Sequence, residues 1–97
     1  MTEAIAQRLS AAGIELLADT GRYYLFTRGD FIALVERKSE GFGGIGSTGI
    51  FTEAGISYLV WQGERPFLVG KGIQQIATQE QVTAIRHFSS DLTNALR

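Results

Sequence analysis

The strand-like runs of this chain follow one another across turns too short to hold a crossover. Residues 14–19, 22–28 and 31–37 are rich in β-branched and aromatic side chains. Only Thr20-Gly21 and Gly29-Asp30 separate them. A parallel connection needs a dozen or more residues, so these runs can pair only as an antiparallel meander. The pattern resumes at 49–52, turns at Glu53-Ala54-Gly55, and continues at 56–62. Gly63-Glu64 turns the chain into a run over 65–69, where Pro66 marks a strand start or an edge. Residues 73–76 fit either a last short strand or a helical turn.

Helical signals sit at the two ends. Over residues 2–12, Thr2 is placed to cap, Glu3 favours the positive end of the helix dipole, and Ile5, Leu9 and Ala12 form one stripe. Gly13 stands where a left-handed C-terminal residue is wanted, with Ile14 folding back onto the stripe. Near the other end, Thr78-Gln79-Glu80-Gln81 spells a capping box. Val82, Ile85, Phe88, Leu92 and Leu96 then make a continuous apolar stripe, with Ala84 and Ala95 at its margin. The expected fold is α+β: residues 1–97 as one domain, an antiparallel sheet of five or six strands, and both terminal helices on one face, in the order α-β-β-β-β-β-α.

The stretch 40–49, Glu-Gly-Phe-Gly-Gly-Ile-Gly-Ser-Thr-Gly, holds five of the twelve glycines and includes G-x-G-x-x-G. A dinucleotide site needs a helix directly after those glycines, so that pyrophosphate meets its N-terminus. Ile50-Phe51-Thr52 followed by Gly55 opens no such helix. The stretch therefore reads as a flexible or bulged crossing between two sheet segments. Backbone amides there offer a weaker alternative, an anion nest. Gly70-Lys71 lacks the remaining P-loop residues, and Arg28-Gly29-Asp30 is ordinary hairpin-turn chemistry.

Composition narrows the function classes. A net charge of −1 gives no general attraction to phosphates, so nucleic acid is not an expected partner. No apolar run approaches the roughly 20 residues that span a bilayer, and the apolar pattern of the first residues carries Glu3 and Arg8, unlike a signal peptide. The absence of cysteine excludes disulfides, thiolate metal sites and a cysteine nucleophile, and fits a reducing, cytoplasmic setting. No spacing of His, Asp or Glu suggests a metal site, and no cofactor is expected.

His87 and Asp91, four residues apart, could serve as a base and its orienting carboxylate. They lie on the polar side of the last helix, where a solvated pair is the simpler reading. A small enzyme built on them is the third-ranked expectation. The first is a non-enzymatic interaction module. Phe31, Ala33 and Val35 alternate with Ile32 and Leu34, and Tyr24 and Phe26 alternate with Tyr23 and Leu25. Both faces of the sheet are thus apolar, and two short helices cover only one. A homodimer is expected, with its interface drawn from Tyr24, Phe26, Ile32, Leu34 and Tyr58. The second expectation is a small-molecule-binding protein with an aromatic-lined pocket, anchored by Arg28, Trp61, Arg65 and Lys71.

Overall fold

A computed structural model describes residues 2–97. The helix α1 spans Glu3–Ala11, and seven strands follow: β1 (Glu15–Asp19), β2 (Tyr23–Arg28), β3 (Phe31–Lys38), β4 (Gly41–Thr52), β5 (Gly55–Gln62), β6 (Arg65–Gly70) and β7 (Ile73–Ile76). The chain closes with α2, Gln79–Leu96. The strands form one antiparallel meander in the order β1 to β7. No helix among the described residues is long and apolar enough to cross a membrane.

The helix ends obey their local chemistry. The Thr2 hydroxyl accepts from the Ile5 amide, and Thr78 and Gln81 exchange both bonds of the capping box. Gly13, at φ 71°, turns the chain, and the Ile14 amide donates back to Leu9 carbonyl at 2.9 Å. Arg8 donates to the carbonyls of Ala95 and Arg97, so a cation from α1 satisfies the last carbonyls of α2.

Of the two readings open for residues 73–76 the strand is the one formed, and the glycine stretch, expected as a crossing between sheet segments, is itself strand β4. Together they bring the count to seven. β4 pairs with β3 along its length, with ten residues, Gly41–Ile50, opposing the eight of Phe31–Lys38. The two surplus residues enter at register shifts between Ala33 and Val35 and between Val35 and Arg37. Glycines 43, 44 and 46 occupy these bulges. The bulges re-aim the strand. Phe42, Ile45 and Thr48 pair with Arg37, Val35 and Ala33, so three residues spaced by three share one face. Of the stretch's glycines only Gly41 has a positive φ, so the backbone is extended and forms no anion nest.

Both helices pack on the face that carries Phe26, Ala33 and Val35. Leu9, Ile14, Phe88, Leu92 and Ala95 close over these side chains in one core. Phe88 stacks on Phe31 at 6.0 Å between ring centroids, and Tyr24, Phe26 and Phe42 pack ring against ring. Ala95 is buried, while Leu96 packs only partly at the margin. A second core joins Val82 and Ile85 of α2 to Leu68 and Ala77, with Leu59 and Ile50 at its edge.

The two cores reflect a division in the sheet. β4 and β5 pair only from Gly49↔Tyr58 to Thr52↔Gly55. Beyond that point β4 continues along β3, while β5 continues along β6. The backbones crowd at this junction. A Cβ on Gly49 would overlap the Ser57 carbonyl oxygen, and one on Gly70 would overlap that of Ile56. Ser57, between them, is fully buried with no hydrogen-bond partner for its hydroxyl among the described residues. A small side chain fits there, and its hydroxyl is a cost, not a contribution.

Equilibrium denaturation can test this junction. Gly49→Ala or Gly70→Ala is expected to lower stability by more than about 2 kcal/mol, because the obstructing atoms are backbone. Ser57→Ala is expected to leave stability unchanged or raise it by about 1 kcal/mol.

Candidate functional site

The other face of the sheet carries no helix. The register places Leu25 with Leu34, Thr27 with Ile32, Ile32 with Gly49, Gly49 with Tyr58, and Tyr58 with Val69 on this side. Phe51 pairs with Ile56, Val60 with Phe67, and Phe67 with Ile76, so the apolar surface crosses β2 to β7 without a charged residue in its middle. Ile32, near its centre, is fully buried yet belongs to neither core beneath the helices. Val60 is 40% exposed, Tyr23 42% and Ile76 61%. Leu25, Leu34, Phe51, Ile56, Tyr58, Phe67 and Val69 are half-buried.

Of the five residues expected at an interface, Ile32, Leu34 and Tyr58 share this face. Tyr24 and Phe26 lie on the opposite one, and Phe26 is sealed beneath the helices. Sequence reasoning missed Leu25, Phe51, Ile56, Val60, Phe67, Val69 and Ile76 as parts of one surface. Their period-two spacing was legible, but joining them across strands requires the register.

The expected anchors Arg28, Trp61, Arg65 and Lys71 are dispersed. Arg28 lines an open cleft with Arg8, Ala12, Asp91 and Asn94, and none of the other three anchors borders it. Arg28 works as a clamp. Its guanidinium donates to the Ala12 carbonyl at the end of α1 and to Asp91 Oδ2 on α2 at 2.9 Å, and it lies over the Phe88 ring. Trp61 sits at the helix-side margin with Arg86 over its ring. Arg65 and Lys71 stand at opposite ends of β6.

The possible base–carboxylate couple takes a similar course. Asp91 is paired with Arg28, and His87 is exposed in a shallow cleft with Thr83, Arg86, Ser90 and Asp91. No hydrogen bond joins His87 to Asp91 among the described residues, so the carboxylate does not orient the imidazole. No group of three His, Cys, Asp or Glu side chains suited to a metal ion occurs among the described residues.

The clamp predicts a graded response in thermal and urea unfolding. Arg28→Ala is expected to cost about 1–2 kcal/mol, because it strips the Ala12 carbonyl and the Phe88 ring of a partner as well as breaking the ion pair. Asp91→Asn should cost less than about 1 kcal/mol, since the pair is partly exposed. His87→Ala should stay within about 0.5 kcal/mol of the parent protein.

No protein-family model, curated protein or solved structure matches this chain.

Proposed function

We propose that the protein is a non-enzymatic interaction module that forms a homodimer, the helix-free face of one sheet packing against the same face of a second copy. The supporting observation is the apolar side chains that β2 to β7 present on the face with neither helix over it. A polar-rimmed apolar patch of this kind is often a functional contact surface. Sheets with apolar inner faces pack about 10 Å apart in sandwiches, and a symmetric dimer of sheets reproduces that arrangement between chains. The polar chemistry adds weight from the other side. Arg28 and Asp91 serve the fold, and His87 forms no hydrogen bond with Asp91 among the described residues.

Sedimentation equilibrium at micromolar concentration is expected to give twice the 10.6 kDa chain mass. Leu34→Glu and Val60→Glu each place a charge on the half-buried or exposed part of this face, and each should give a folded monomer. A wild-type chain that sediments as a monomer throughout the micromolar range would overturn the proposal.

A further inference from the structure

We infer, building on the homodimer reading, that the two copies are related by a two-fold axis parallel to the strands and lying over the junction of β4 and β5. The inference rests on where the charges around the apolar face stand. In register, Ile32 of β3 is level with Val69 of β6 through Gly49 and Tyr58. Four residues along each strand from that level, past the point where β4 and β5 part, stand Glu36 on one wing and Arg65 on the other. Two residues the other way stand Asp30 and Lys71, in the turns that begin β3 and end β6. β3 lies one strand outside β4, and β6 one strand outside β5.

An axis along the strands exchanges β3 with β6 and keeps each level. Glu36 then meets Arg65 of the partner subunit, and Asp30 meets Lys71 of the partner subunit, with every contact made twice by symmetry. An in-plane axis across the strands keeps each strand over its own copy and reverses the levels. Placed midway between the two charged levels, it would set Glu36 against Asp30 of the partner subunit and Arg65 against Lys71 of the partner subunit, like charge on like charge. The rim therefore favours one face-to-face arrangement and opposes the other. All four side chains are exposed, and none belongs to the ion pairs formed among the described residues, Arg28–Asp91 and Arg37–Asp19.

The size of the face suits a modest dimer. Six strands at ~4.8 Å spacing and about 20 Å of strand length give a footprint of roughly 500 Å² per copy. Counting both copies gives on the order of 1,000 Å², near the lower bound for a specific interface. At that size the rim charges matter to affinity as well as to orientation.

Sedimentation velocity over a dilution series at low salt tests the arrangement with Glu36→Lys, Arg65→Glu and the double reversal. Each single reversal is expected to weaken dimerisation about tenfold through two repulsive contacts, and the double reversal should return it to within about twofold of wild type. Asp30→Lys with Lys71→Asp should repeat the pattern at the other end of the sheet. A wild-type dimer whose double reversals associate no better than the single ones, or whose single reversals have no effect, overturns the orientation while leaving the homodimer reading intact. A monomeric wild type overturns the homodimer reading itself.

Discussion

One helix holds both wings of this sheet together. The stripe on α2 meets β2 and β3 through Phe88, Leu92 and Ala95, and meets β6 through Val82 and Ile85. The wings share backbone hydrogen bonds only over the short stretch where β4 pairs with β5. Without α2 the meander would be two small sheets joined at a seam, each with one dry face missing. Burying a single large apolar side chain contributes about 1.5–3 kcal/mol, so the four large side chains of the stripe outweigh the few hydrogen bonds of the seam. The capping box at Thr78 and the Arg8 bonds to the last carbonyls secure the two ends of that helix.

Glycine shapes the sheet that α2 must cross. In β4 it lies at two bulges, which bring Phe42 and Ile45 over the same core as Val35, and at Gly43 it leaves room for the Glu36 side chain. At Gly49 and Gly70 it allows backbones to approach where a side chain would block them. The two uses are physically different. Bulges correct a mismatch between a three-residue apolar spacing and the two-residue period of a strand, whereas the junction glycines supply room. Ser57 belongs to the second case, a small residue kept in a crowded place at the expense of an unpaired hydroxyl.

The consequence for function is a division of labour between the faces. The helix side takes Phe26 and Tyr24 into the core and uses Arg28 and Asp91 to clamp α1, α2 and β2 together. Residues that looked chemically available in the sequence are thus committed to holding the fold. The opposite side keeps most of its apolar side chains half-buried around a fully buried Ile32, with charges toward the rim. The proposed association between copies uses this surface as it stands, without requiring a rearrangement of the chain.

Local chemistry determined much of this protein from the sequence alone. Short Gly-containing turns forced an antiparallel meander, the Thr78 box and the Val82–Leu92 spacing marked the long helix, and Thr2 and Gly13 bounded the short one. Each signal lies within a few residues, where sterics and hydrogen bonding act directly. Tertiary structure alone decided which face was core, that the glycine stretch was a strand, and that Asp91 answers to Arg28 instead of His87. Phe26 and Leu25 are equally apolar neighbours, and no local rule says which of them the helices will cover. Phe42 and Ile45 share a face only because pairing with β3 pushes two residues into bulges. Those outcomes depend on register and on contacts between residues far apart in the chain, which the side-chain pattern of one strand cannot encode.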